Sequence, residues 1–265
     1  TWKFAALTSD ELLRYTYRGE TFEDADLSLD RTSRLTFVPK NFRALRTICA
    51  EPATLQFYQQ GVMRRLYGYI EGHRYLRRHL PLTDQTVNGE KALRGSAALP
   101  HLPWDSGSLC TIDLSAASDR LPWVVVKAVF KGTPLLRHLW ATRSRNVELP
   151  GGVKIPLKKF APMGSALCFP IQSLVYAAVV EHCTRFDRTP GNQNWSVFGD
   201  DVIVHESAYE QVVDCLSSLG LKVNTKKSFR TDVPFKESCG VDAWAGDDIT
   251  PVYLRSLSKA PANLV

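Results

Sequence analysis

Two adjacent carboxylates, Asp200 and Asp201, follow Phe198-Gly199 between two short apolar runs, Trp195-Ser196-Val197 and Val202-Ile203-Val204. A glycine-containing turn between runs of strand length reads as a β-hairpin. Two like charges side by side in apolar surroundings are costly unless a cation joins them. A hard divalent ion with oxygen ligands, Mg²⁺ before others, meets that need. Asp113 is the second piece, because it closes the apolar run Ser108-Leu109-Cys110-Thr111-Ile112, which reads as a buried strand. A strand end lying beside the hairpin would bring a third carboxylate to a site shared by two divalent ions. A lone Asp at a strand end is more often a turn or cap residue; the carboxylate hairpin and the basic segments upstream set this one apart. Gly-Asp-Asp recurs at Gly246-Asp247-Asp248, so the triplet decides nothing by itself. The second copy precedes Ile249-Thr250-Pro251, where proline interrupts any second strand, and it reads as a surface turn.

The elements that must hold these residues follow from pattern. Tyr58 to Leu80 reads as a helix that interleaves Arg64, Arg65, Arg74, Arg77 and Arg78 with Tyr67, Ile70 and Tyr75, a pattern that a solvated face serves as well as contact with an anionic partner. A second basic group, Arg31, Arg34, Lys40, Arg43 and Arg46, precedes it. A helix is expected to begin at Leu121-Pro122, since proline suits a first helical turn. Gly151 to Pro162 reads as a lysine-rich hairpin or loop, and Ile171 to Phe186 as an apolar helix with Pro170 in its first turn. Ser207 is the expected cap of a helix running to Leu219, with Gly220 at C′. Strands and helices in this order predict an α+β unit around one mainly antiparallel sheet.

Composition narrows the class. The 265 residues suffice for one large domain or two intimate subdomains. Hydrophobic content of 44% and charged content of 23% are ordinary for a soluble globular chain, and the net charge of +6 suits an anionic partner such as nucleic acid. Six scattered cysteines with no Cys-x-x-Cys pair read as buried free thiols of a reducing compartment, not as a zinc site. The longest apolar run, Leu174 to Val180, is far short of a membrane span. The chain starts at Thr1 without an initiator Met and is expected to be an excerpt of a longer protein.

Asp113-Leu114-Ser115-Ala116-Ala117-Ser118-Asp119, Met163-Gly164-Ser165 leading into a helix, and Phe198-Gly199-Asp200-Asp201 resemble motifs A, B and C of viral RNA-dependent RNA polymerases. The likeness is greatest to replicases of single-stranded RNA bacteriophages of the Qβ type. Further matching pieces are Phe37-Val38-Pro39-Lys40-Asn41, Arg46 to Pro52, Asp84 to Asn88, Asn224 to Lys227, Phe235 to Gly240 and Thr250 to Arg255, all in order. The resemblance implies a right-hand polymerase fold: an α+β palm with an antiparallel sheet and flanking helices, plus part of the fingers. Residues 1–107 would be the fingers portion with its basic NTP- and RNA-contacting segment. Residues 108–265 would be the palm, motifs A to E, with a fingers-like insertion around 140–162 and the thumb outside this chain.

The resemblance also implies roles. Asp113 and Asp200 would be the main ligands of two Mg²⁺ ions, with Mn²⁺ able to substitute and Asp201 a weaker ligand. Lys40, Arg43 and Arg46 would contact the incoming triphosphate, where Arg suits bidentate phosphate contact. Asp119 would accept a hydrogen bond from the ribose 2′-hydroxyl, which distinguishes RNA from DNA precursors. Gly164 and Ser165 would assist from the loop entering the helix. The broad viral pattern has Thr and Asn where Cys168 and Gln172 stand, so roles at those two positions are not carried over. Lys226 and Lys227 are the alternatives for a lysine that protonates the departing pyrophosphate, and Glu237 reads as structural. The implied activity is template-directed RNA synthesis from NTPs, in the cytoplasm of a bacterial host and away from membranes. Its partners would be single-stranded RNA template, nascent RNA, and host elongation factors Tu and Ts with a ribosomal protein. Reverse transcriptases share the carboxylates but place a bulky aromatic gate where Asp119 and the small residues before it stand. A non-catalytic RNA-binding palm fragment is the other alternative, against which the complete acidic triad speaks.

Overall fold

The computed structural model describes residues 31–41, 44–97, 108–187, 189 and 191–252. Among them the α+β expectation holds, but three sheets stand where one was expected, because the strands fall into groups that do not pair with one another. The site rests on a three-stranded antiparallel sheet of order β3-β7-β6, built from β3 (Leu109–Ile112), β6 (Ser196–Phe198) and β7 (Asp201–His205). Successive residues Val202, Ile203 and Val204 are all buried. Side chains alternate between the faces of a strand, so both faces of this sheet are covered, which explains unbroken apolar runs in place of alternation.

Helices supply the cover. Helix α7 (Cys168–Thr184) is apolar on nearly every side up to Val180, as a largely enclosed helix must be, and only its last turn, with Glu181 and exposed His182, reaches solvent. It packs on β6 and on α8 (Glu206–Ser218), which in turn packs on β7. Helix α3 (Thr86–Ser96) touches β3, β6 and β7 and also a second antiparallel sheet of order β10-β9-β8. That sheet comprises β8 (Phe235–Ser238), β9 (Val241–Trp244) and β10 (Asp247–Asp248). Close approach is possible because α3 carries glycines: a Cβ on Gly95 would lie 2.8 Å from the Leu109 carbonyl oxygen, and one on Gly89 would lie 2.8 Å from Val241.

A third sheet, of order β2-β1-β4-β5, joins segments distant in sequence. Strands β1 (Thr32–Asn41) and β2 (Ala44–Ala50) form a basic hairpin, and β1 runs parallel to β4 (Asn146–Glu148), which pairs with β5 (Lys154–Pro156). Thus the basic segment shares one sheet with a hairpin that starts at Asn146, ahead of the expected Gly151, and ends at Pro156. The boundary expected at 107/108 lies beside residues outside the described set. A continuous apolar core nevertheless crosses it, with Val62, Leu66 and Ile70 of α1 (Ala53–Gly72) in one cluster with Cys110, Ile112, Tyr176 and Val202.

Several boundaries differ from expectation. The helix predicted over Tyr58 to Leu80 begins earlier, at Ala53 behind Pro52, and breaks after Gly72, where His73 is extended. A short helix α2 (Leu76–His79) then starts under the His73 ring, whose Nδ1 accepts from the Leu76 amide. Pro122 is the cap and not the first turn of α5 (Trp123–Val129), because its extended backbone bridges to Lys159. His205, not Ser207, caps α8: strand β7 runs straight into the helix, so its last residue takes the cap and its Nδ1 accepts from the Ser207 amide. Gly220 has φ 82° at the expected C′ position. At the second Gly-Asp-Asp, the turn is Ala245-Gly246 with φ 51° and 97°, while Asp247–Asp248 pair as the short, exposed strand β10.

Candidate active site

The turn Gly199-Asp200 closes the β6–β7 hairpin, with Phe198 opposite Asp201. Gly199 has φ 65° and Asp200 does not share the positive value, as in hairpin turns with glycine at the first central position. Helix α7 seats this turn. The Gly199 amide donates to Ser173 Oγ at 2.9 Å, Phe169 packs edge-on against Phe198, and a Cβ on Gly199 would meet the Phe169 ring at 2.7 Å. Strand β3 pairs with β7 through Ile112 opposite Val202. Asp113 therefore leaves the sheet beside Asp201, at the end expected from the sequence.

Asp113 and Asp201 each have their own support. Asp113 Oδ2 accepts from Asn224 Nδ2 at 2.7 Å, its carbonyl accepts from the Asn224 amide, and its amide donates to Ser228 Oγ. The segment carrying Asn224 runs along β3 through bridges at Leu114–Val223 and Thr111–Phe229. Asp201 accepts from Ser238 Oγ at 3.3 Å and from the Cys239 thiol at 3.7 Å. Cys239 holds φ 51° and Gly240 φ 80° in the β8–β9 turn, so a non-glycine residue occupies a left-handed conformation where its thiol meets Asp201. Burial, then the negative fields of Asp200 and Asp113, push the Asp201 carboxyl up to about 6, against the Cys239 amide and Ser238 hydroxyl.

That electrostatic conflict is what a cation relieves. Three anionic oxygen donors on two strand ends suit a hard divalent ion, and no soft ligand is needed. As they stand, no three Asp, Glu, His or Cys side chains among the described residues converge to ion-holding separation. Asn224 engages Asp113, while Ser238 and Cys239 engage Asp201.

The other expected residues divide. Asp119 lies on the single-turn helix α4 (Ala117–Arg120), entered through Ala116 at φ 51°, and its exposed carboxylate is ion-paired with Lys159. Burial raises the Cys168 thiol to about 12; Asp119 and Asp200 push the same way while Lys159 and Ser118 oppose them. Asp119, Asp200 and Lys159 thus act on one thiol at the start of α7. Gly164 has φ 118°, and a Cβ there would lie 2.1 Å from the Cys49 carbonyl oxygen; the Cys49 amide donates to the Met163 carbonyl. The loop therefore lies backbone to backbone on β2, the strand that carries exposed Arg46 opposite Val38. Ser165 turns inward: its buried hydroxyl donates to Gln59 Oε1 at 2.9 Å and accepts from the Leu167 amide. Lys227 is ion-paired with Glu237 at 2.6 Å, which raises its pKa, whereas Lys226 is exposed with no partner among the described residues. Lys40 lies in β1 with its side chain outside the described residues, as is Arg43 altogether.

Sequence reasoning passed over Gln59, a fully buried hub on α1. Its Nε2 donates to the Thr142 carbonyl, and its Oε1 receives both Ser165 Oγ and the Ala166 amide. Only an uncharged polar residue inside an apolar helical stripe hinted at it. Asn224 and Cys239 stood inside matching segments, but no local pattern said that they reach Asp113 and Asp201.

Comparison with known proteins points to one family. The family model described as RNA replicase, beta-chain matches residues 6–265. The chain is 33% identical over 244 residues to the RNA-directed RNA polymerase subunit beta of Qbeta virus (strain MX1), covering 91% of this chain and 39% of that protein. It is 31% identical over 258 residues to the RNA-directed RNA polymerase beta chain of Enterobacteria phage fr, covering 96% and 43%. It thus spans about two fifths of the length of these relatives. Among solved structures, the RNA-dependent RNA polymerase of a human picorbirnavirus superposes with a TM-score of 0.60 at 16% identity, over 84% of this chain and 45% of that one, a likeness of fold. Motif order, the carboxylate sheet and the family match over nearly the whole chain lead to one assignment: the chain belongs to the RNA replicase, beta-chain family and has the right-hand polymerase fold.

Proposed function

We propose that this chain carries the catalytic centre of an RNA-directed RNA polymerase that copies an RNA template from NTPs and releases pyrophosphate. The observation that supports it most is the arrival of Asp113 and Asp200-Asp201 at one end of a single antiparallel sheet, where burial first, and then the other two carboxylates, disfavour the charge on Asp201. Asp113 and Asp200, with Asp201 as the weaker donor, would hold two Mg²⁺ ions, or Mn²⁺ in their place, which when bound lower the cost of deprotonating the 3′-hydroxyl and of charge on the leaving pyrophosphate.

The chain's own residues do the positioning, on which phosphoryl-transfer chemistry chiefly depends. Arg46 on the exposed side of β2, with Lys40 of β1 and with Arg43, would draw the triphosphate. The Gly164 loop, which leads into α7, holds that strand by backbone contact at Cys49. Asp119 would accept the ribose 2′-hydroxyl. Lys226 is the better proton donor to pyrophosphate, because Glu237 already occupies Lys227 and raises its pKa. Template and nascent RNA are the macromolecular partners, and the host's cytoplasm the place of action. Elongation factors Tu and Ts with a ribosomal protein follow from the family resemblance alone.

The test is nucleotide incorporation on single-stranded RNA by the full-length protein in Mg²⁺. Asp200→Asn is expected to lower incorporation by at least about 10³-fold with RNA affinity within about twofold, since it removes a metal donor and no basic contact. Retained turnover in the variant would refute the assignment. Preference for dATP over ATP would favour the reverse-transcriptase reading.

A further inference from the structure

Lys159 is the partner of Asp119, and the fold holds it in place from two sides. On one side the segment is laced to the start of α5: the Trp123 amide donates to the Lys158 carbonyl, the Phe160 amide donates to the Leu121 carbonyl, and Pro122 bridges Lys159. On the other, the Arg143 side chain donates to three carbonyls of the same loop, Leu157 at 3.1 Å, Lys159 at 2.8 Å and Phe160 at 3.0 Å. Arg143 is only 5% exposed and also lies over the Trp123 ring at 4.9 Å. Burying a guanidinium is costly unless its donors are satisfied. Here they are spent on fixing the backbone that presents Lys159. The ammonium takes Asp119 Oδ1, while Asp119 remains 47% exposed at its side chain. One oxygen is thereby committed and the carboxylate keeps capacity to accept from outside.

We infer that Lys159 is a specificity-determining positioning residue: by clamping one oxygen of Asp119 it aims the other at the ribose 2′-hydroxyl, and Arg143 is the brace of that clamp. The inference rests on the polymerase reading and on Asp119 as the ribose sensor. A carboxylate on a one-turn helix behind a left-handed alanine has several rotamers open to it. A charge-assisted hydrogen bond from a pinned lysine selects one. Loss of the clamp weakens discrimination, because the reward for a 2′-hydroxyl depends on an acceptor already in place.

The experiment compares kcat/KM for ATP and dATP on one RNA template, using the full-length protein, wild type, Lys159→Met and Lys159→Arg. Lys159→Met is expected to lower the ATP:dATP ratio about tenfold, mainly through a raised KM for ATP, with thermal stability close to wild type; Lys159→Arg is expected to keep the ratio within about threefold. An unchanged ratio in Lys159→Met overturns the inference, and so does an equal loss for both nucleotides, which marks a phosphate contact. Wild-type protein that incorporates neither nucleotide overturns the polymerase reading itself, and the clamp with it. Wild-type protein that incorporates ATP while Asp119→Ala leaves the ratio untouched overturns the clamp alone.

Discussion

Gly164 shows how far a single position can be dictated by its neighbours. Its φ of 118° is open to glycine almost alone, and the space where a side chain would begin is filled by the Cys49 carbonyl, 2.1 Å away. Gly164→Ala is expected to cost about 3 kcal/mol or more, from backbone strain plus overpacking against atoms that cannot rotate away. Urea unfolding measures the loss, and faster exchange of the Cys49 amide, which now donates to Met163, would localise it. A variant within about 0.5 kcal/mol of wild type would show that the loop does not abut β2. At this scale the carboxylates were legible in the sequence, since charges among apolar neighbours demand an explanation. Gln59 and Asn224 were not. Their partners, Ser165 and Asp113, lie 106 and 111 residues away, and local spacing carries no record of such contacts.

Among the elements, the β6–β7 hairpin, β3 and α7 could be read from sequence because each is encoded by an unbroken apolar run with a local stop. The start of α8 was misplaced by two residues, because a strand leading directly into a helix leaves no separate capping residue between them. That junction has its own electrostatic signature in Glu206, the first residue of α8. Burial alone would raise its pKa, but hydrogen bonds from the Cys110 thiol, Arg230 and Thr231 outweigh it and hold the carboxyl at about 2. A carboxyl depressed in the fold stabilises it above the ordinary value of 4.5, and that contribution is lost as pH falls toward 2. The side chain is 26% exposed and Arg230 41%, so after solvent screening about 2 kcal/mol remains near neutrality. Glu206→Gln is therefore expected to be less stable than wild type by about 2 kcal/mol at pH 7, with the two converging near pH 2. Paired denaturation curves across that range check it; a constant gap would assign the loss to packing.

At the scale of the molecule, the parallel pairing of β1 with β4 and the shared core of α1, β3 and α7 tie the basic first third to the carboxylate sheet. Neither was legible, since both are decided by tertiary packing between segments that each look complete alone. Among the described residues, helix α3 touches six strands, three in the carboxylate sheet and three in the sheet whose turn reaches Asp201. Its grip depends on Gly95, where glycine lets the helix come within 2.8 Å of the Leu109 carbonyl when measured from the missing Cβ. In an ordinary helix interior, replacing glycine by alanine gains about 0.5–1 kcal/mol. Against a backbone atom at this distance the sign reverses, and Gly95→Ala is expected to destabilise by about 1–3 kcal/mol. Because α1 and β7 belong to one core, the amides of Leu66 and Ile203 are expected to exchange hydrogen through the same global opening, and the variant to lower both by the same amount. Native-state hydrogen exchange with and without low denaturant tests this. If Leu66 loses protection while Ile203 keeps it, the first third opens on its own and the carboxylate sheet stands without it.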